Sequence, residues 1–209
     1  GLDIGTGAVK AALVTAAARG WTIVDLVEEP IEQGDDLHWP DKAREALARM
    51  AGRVKADSVA VALPPGVAVT TRLRLSLTDA RKIAAAVGFE LESQMPHEIG
   101  TVIYDYRVDA RDDTGSDLSA TYAPRTEIAA ALEMLAFAQI DPRLLVSHSH
   151  ALKFVWRMMD PEKAGVTPCM IVDAGRRHTS ICVVDEHDIP FSRTIQFGGD
   201  DLESGGGEA

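Results

Sequence analysis

The rhythm of apolar and polar positions along this chain changes several times, and each change marks an element. Leu2-Asp3-Ile4 begins an apolar strand, a Gly-Thr-Gly turn follows, and Val9 to Val14 continues as a second strand. Trp21 to Val27, rich in β-branched and large apolar residues, predicts a third. From Pro40 to Met50 the period lengthens, and Ala43, Leu47 and Met50 fall on one helical face. Asp57 to Leu63 alternates again as a strand, which Pro64-Pro65-Gly66 stops. Three strands, a helix and a strand predict a mixed-sheet α/β unit over residues 1–70.

From residue 71 to residue 141 the texture differs. Arg72-Leu73-Arg74-Leu75 alternates, as a strand exposed on one side does. Thr78-Asp79 supplies an N-cap for a helix through Ile83, Val87 and Leu91 that Pro96 ends. Val102 to Val108 is a strand with Tyr104 and Tyr106 on one face, Arg111 to Ser116 a polar turn, and Asp117 to Tyr122 a further strand. Pro124-Arg125-Thr126-Glu127 then opens an alanine- and leucine-rich helix. The set predicts a self-contained α+β module inserted at 71–141. Beyond it, Leu144 to Val146 returns to strand, and His148 and His150 alternate so as to share one strand face. Ala151 to Met159 is a helix, and a linker with Gly165 and Pro168 leads to Met170-Ile171-Val172-Asp173. Residues 200–209 are acidic and glycine-rich without a period, so 203–209 reads as a disordered tail.

Composition narrows the functional classes. Of 209 residues, 46% are hydrophobic and 25% charged, as in a globular protein with one large or two small domains. A net charge of -11, from 32 acidic and 21 basic residues, repels phosphate backbones, and the arginines form no stripe with aromatics. Nucleic acid is therefore not the expected partner. No apolar run reaches the roughly 20 residues of a membrane helix, and no leader pattern is visible. Cys169 and Cys182, each among strand-like apolar residues, read as buried reduced thiols. His148 and His150 have no third ligand nearby in sequence and read as structural.

Two segments echo each other. Leu2-Asp3-Ile4-Gly5-Thr6-Gly7 precedes the strand from Val9, and Val172-Asp173-Ala174-Gly175 precedes Thr179-Ser180-Ile181-Cys182. Each is an apolar strand ending in Asp-x-Gly, a tight turn, and a second strand. Glycine lets backbone amides approach a phosphate, and small hydroxyl side chains add donors. A carboxylate beside each turn, Asp3 and Asp173, suits a hydrated Mg²⁺, which keeps most of its waters. Lys10 adds a positive charge for phosphates. The same pattern also describes an ordinary hairpin turn with no ligand.

These motifs resemble the two phosphate loops of the actin, sugar-kinase and heat-shock-chaperone superfamily. A narrower resemblance, to the PilM/GspL family of pilus and type II secretion proteins, lies in several passages. They are Leu63-Pro64-Pro65-Gly66, Thr71-Arg72, the run from Leu75 to Ile83, Phe89 to Pro96, Val102 to Tyr106, Phe191 to Ile195 and Gly198-Gly199-Asp200-Asp201-Leu202. The resemblance implies an actin-like (ribonuclease H-like) α/β fold with an FtsA-like arrangement. Subdomain 1A would span 1–70 and 142–202, with an α+β subdomain 1C inserted at 71–141, and the second lobe would be absent from these residues.

The resemblance further implies ATP and Mg²⁺ on phosphate loops formed by Asp3, Gly5, Thr6, Gly7, Lys10, Asp173, Gly175 and Thr179. Its implied partners are a PilN-like cytoplasmic tail or the N-terminal domain of a GspE-like secretion ATPase, at the cytoplasmic face of the inner membrane. A second copy of the chain is a further candidate. On the inserted module, Arg72, Arg74, Tyr104 and Tyr106 are the candidate partner contacts, and the strand from Thr71 to Leu77 can accept an extended peptide at its edge. Three readings stay open: a scaffold without turnover, an ATPase or kinase using Asp3, Thr6, Lys10 and Asp173, and an unrelated α/β domain. No general base stands out, since Glu90 and Glu92 lie on a helix of the module, and Arg176-Arg177-His178 is bulky for a phosphate turn.

Overall fold

The computed structural model describes residues 1–17, 20–32, 38–159, 168–185 and 189–205. Gly165 of the expected linker and residues 206–209 of the expected tail lie outside them.

The first sheet is built from β1 (Leu2–Ile4), β2 (Ala8–Ala17), β3 (Gly20–Pro30), β4 (Val59–Ala62) and β8 (Pro142–Val146), in the order β3-β2-β1-β4-β8. β1, β2 and β3 form an antiparallel meander, whereas β4 runs parallel to both β1 and β8. The helix expected from Pro40 is α1 (Trp39–Arg53), with proline in its first turn, where a missing N–H costs nothing. It buries Ala43, Ala46, Leu47 and Met50 against Leu2, Val9, Val27 and Val61. Glu29 is buried in the same layer and held by Arg49 and Arg53 of α1.

The inserted part has its own sheet, β5 (Val69–Leu75), β6 (Val102–Asp112) and β7 (Gly115–Pro124), in the order β5-β7-β6. α2 (Ala80–Gln94) covers one face, with Ile83, Val87 and Leu91 packed on Leu73, Leu118 and Ala120. The expected polar turn at 111–116 is shorter than its composition suggested. Both strands continue to Asp112 and Gly115, because Asp112 Oδ1 accepts from the amides of Thr114 and Gly115 and closes the turn. A side chain at 115 would lie 2.1 Å from the Leu75 carbonyl oxygen, hence the glycine.

The helix expected to complete this module, α3 (Arg125–Phe137), goes elsewhere. Leu135 and Met134 join the core around α1, and Ile128 packs with Leu63 and Ala123 at the junction. α3 is thus the crossover helix between the parallel strands β4 and β8.

The second Asp-x-Gly segment forms a third sheet, β9 (Cys169–Ala174), β10 (Thr179–Val184) and β11 (Phe191–Ile195), ordered β11-β10-β9. These strands pair among themselves rather than extending the first sheet, and they repeat its opening meander. α4 (His148–Met159) supplies Leu152 and Trp156 to the core of Cys182, Val184 and Ile189. His148 and His150 therefore sit in the first turn of a helix, not on a strand. At the far end, α5 (Gly199–Gly205) corrects the expected tail, since residues 203–205 are helical.

Candidate functional site

The β1–β2 and β9–β10 hairpins have the same construction. In the first, Asp3 is opposite Lys10 and Ile4 opposite Val9, and Gly5 N donates to Ala8 O at 3.0 Å. In the second, Asp173 is opposite Ser180 and Ala174 opposite Thr179, and Gly175 N donates to His178 O at 2.9 Å. A side chain's first carbon on Gly5 or Gly175 would lie 3.1 or 3.0 Å from that accepting carbonyl, so both pinched turns favour glycine. The first tip is anchored from outside. Ile31 N donates to Gly7 O at 2.9 Å, and Trp39 Nε1 to Thr6 O at 3.2 Å. Thr179 Oγ1 is engaged by Phe197 O at 2.7 Å.

Both aspartates sense the same charges. Burial pushes the Asp3 carboxyl up from its ordinary value, His148 and Lys10 pull it down, and Asp173 pushes it up again. Asp173 is held below its ordinary value, first by a hydrogen bond from His148 Nε2 at 2.9 Å. Lys10 acts on it too. The structure thus brings Asp3, Lys10 and Asp173 to one space, with the glycine turns at its edges. His148 joins them, a residue that reads as structural from the sequence. Its alternation with His150 imitated a strand, and nothing in the sequence links it to Asp173, 25 positions away.

Hard carboxylate oxygens, a lysine and pinched glycine turns are a donor set that fits Mg²⁺ and a polyphosphate. Among the described residues no cluster of three or more His, Cys, Asp or Glu forms a metal cage. A cation here would rest on Asp3 and Asp173 through water. The second turn departs from this pattern. Arg176 lays its stem along Gly7, where an added carbon would be 3.0 Å from Arg176 Cδ. Its Nε donates to Asp200 Oδ1 at 2.8 Å and Oδ2 at 3.1 Å, which holds the Asp200 carboxyl below its ordinary range.

The candidate partner residues divide. Arg72 donates to Asp185 at 2.7 Å, tying β5 to the end of β10. Arg74 is occupied by Asp112, Asp117 and Thr114. Tyr104 and Tyr106 pack on the α2 side of their sheet. Both also border a groove of about 400 Å³ between that sheet and β8, with Ile103, Asp105 and Arg107 of β6, Leu144 to Ser147, and His150. Ile103 and Leu144 stay 42% and 55% exposed there, so the groove wall is partly apolar and open. A larger cavity, about 910 Å³, opens near Gly1 and Val59, at the opposite end of β1 and β4 from the hairpin tips.

Comparison with known proteins adds the following. The family model described as "Type IV pilus assembly protein PilM" matches residues 1–205. No curated protein matches. Among solved structures, the chain is similar to one titled "PilM-PilN type IV pilus biogenesis complex", with TM-score 0.77 and 19% identity, covering 98% of this chain and 63% of that one. It is also similar to the cytoplasmic domain of EpsL, an inner-membrane component of the type II secretion system of Vibrio cholerae. There the TM-score is 0.58 at 10% identity, over 93% of this chain and 69% of that one. A Bacteroides thetaiotaomicron protein with an actin-like ATPase fold matches at TM-score 0.50 and 8% identity, over 94% and 69%. At these identities the likeness shows an actin-like fold. The chain spans under two thirds of the length of the first of these structures.

Proposed function

From the premise that this chain belongs to the type IV pilus assembly protein PilM family, we propose that it is an actin-like scaffold holding a partner's extended cytoplasmic segment at an inner-membrane platform. The groove between the inserted sheet and β8 carries this reading. β6 and β8 are the outer strands of their sheets, and they flank an apolar trough open to solvent. An extended segment placed there can use strand-edge hydrogen bonds for affinity and apolar pockets for selectivity. The proposed occupant is a PilN-like tail, with a GspE-like ATPase domain or a second copy of the chain as other platform contacts. In domain terms, 71–141 is inserted between 1–70 and 142–202, with α3 turned back onto the first sheet.

Titration calorimetry with a synthetic PilN-like tail tests the proposal. Ile103→Asp, which puts a charge on the exposed groove wall, is expected to weaken binding at least about tenfold, roughly 1.4 kcal/mol. Arg74→Ala, on the far edge of the same sheet, should leave affinity within about twofold. Equal affinity for Ile103→Asp and the parent chain would sink the groove as the docking site.

The aspartate–lysine space favours a second property, Mg-ATP binding, compatible with the first. Mg²⁺ would neutralise phosphate charge, Asp3 and Asp173 would orient its waters, Lys10 would face the phosphates, and the Gly5 and Gly175 turns would admit them. Thermal unfolding with millimolar Mg-ATP reads it out, since a ligand at 100 times its dissociation constant stabilises by about 2.7 kcal/mol. A shift that survives in Asp3→Ala would place the nucleotide elsewhere.

A further inference from the structure

The two hairpin tips meet through the side chain of Arg176. Arg176 leaves the tip of the second turn, crosses to the first, and lies in van der Waals contact with the face of Gly7. Its guanidinium is then turned to Asp200 at the start of α5. The backbone fixes the same arrangement. Asp200 N donates to Arg176 O at 3.0 Å, and Gly199 N to Gly175 O at 3.1 Å, so Asp200 is carried to the guanidinium by the turn that Arg176 itself belongs to. Arg177 Nε approaches the same carboxylate at 3.6 Å. A phosphate that used the amides of both tips would need the volume that the Arg176 stem fills.

We propose that the Arg176–Asp200 pair is a latch that closes the space between the hairpin tips, so that a polyphosphate enters only when Arg176 leaves Gly7. This rests on the reading that the hairpins take a polyphosphate, and it goes further by naming what opposes entry. The latch is weak by construction. Asp200 keeps 39% of its side-chain surface and Arg176 keeps 27%, so solvent screens the pair. Exposed pairs shift an equilibrium by about fivefold or less. Affinity falls by the fraction of molecules that are open, so removing the latch should tighten binding by a similar factor. The opposite role, Arg176 as a direct phosphate ligand, predicts the opposite sign.

The test uses the 209-residue chain and two readouts. Calorimetric titration with Mg-ATP, and with inorganic tripolyphosphate, compares the parent with Arg176→Ala, Arg176→Met and Asp200→Asn. Arg176→Met keeps an unbranched stem without the charge and guards against a folding defect in the alanine variant. Expected is a tightening of about two- to fivefold in Arg176→Ala and a smaller one in the other two. Unchanged or weaker binding in Arg176→Ala, when the parent binds, overturns the latch. Hydrogen exchange without ligand is the second readout. Peptides covering residues 3–8 and 173–178 should exchange faster in Arg176→Ala than in the parent, and equal exchange overturns the latch whatever binds. Faster exchange with no binding in any variant would discard the polyphosphate reading and leave the latch as a ligand-independent clasp.

Discussion

Single residues fix the tips more tightly than their composition suggests. Gly198 is buried, and a carbon added to it would lie 2.3 Å from Arg176 O and 2.6 Å from Arg177 N, both backbone atoms that cannot swing aside. Gly198→Ala should therefore cost about 2–3 kcal/mol, read as a lower midpoint in urea. Glu29 shows a charge at work. Hydrogen bonding to Arg53 holds its carboxyl below the ordinary 4.5. A depressed folded pKa stabilises above the unfolded value and is lost as pH falls through the folded one. Glu29→Gln should lower Tm by a few degrees at pH 7, and the gap to the parent should narrow as pH falls below 4.5 and close once the depressed folded value is passed. A gap that did not narrow at all on acidification would make the loss one of packing. Of the site itself, Asp3, Lys10 and Asp173 were legible because an aspartate before a glycine turn is a local pattern. His148 and Asp200 were not, because a contact between distant segments leaves no trace in spacing.

At the level of elements, the start of α2 is written in its sequence. Asp79 Oδ1 accepts from the amides of Arg81 and Lys82 at 3.1 and 3.0 Å, and Ile83, Val87 and Leu91 are buried behind it. Asp79→Ala should cost about 1 kcal/mol, and Asp79→Asn much less. Equal losses in the two would mean that charge, rather than the cap, matters. Two helices were harder to place for opposite reasons. α3 carries Ala129, Ala130, Ala131 and Ala136 around its apolar residues, so no face stands out and its partner is undetermined until the fold sets it. α4 begins with His148-Ser149-His150, polar residues of which Ser149 is buried and the two histidines half-buried in the first helical turn, against their usual place. β1 and β11 have their expected ends, and β4 is shorter than expected, whereas β2 and β3 run on to Ala17 and Pro30 because ladder hydrogen bonds extend past the apolar core.

At the scale of the molecule, the buried apolar side chains among the described residues gather in four groups, of which two hold three buried residues each. The group around Cys182 contains three buried residues and relies on α4 for cover. It should open before the module around Leu91 does. Cys182 reports this, since burial removes it from solvent and raises its thiol pKa. In native buffer a thiol reagent should modify Cys169 first, and Cys182 at a rate faster than amide exchange at Leu91. Modification of Cys182 only with global unfolding would show one cooperative unit instead. The repeated meander was visible in the sequence as two echoing segments. Its separation into a sheet of its own was not, because pairing partners are chosen by geometry that either sheet could have offered.

The connection from β4 to β8 has a kinetic corollary. These strands are neighbours, yet about 80 residues lie between them. Closing a flexible loop of that length costs about 4 kcal/mol beyond a constant, against about 2 for one of ten residues. The intervening β5-α2-β6-β7 unit has its own core and returns to its starting point where Leu63 meets Ala123. If it folds first, the long loop becomes a short one before β8 arrives. The order of events is then set by the insert, and mutations in its core should slow the assembly of a sheet they never touch.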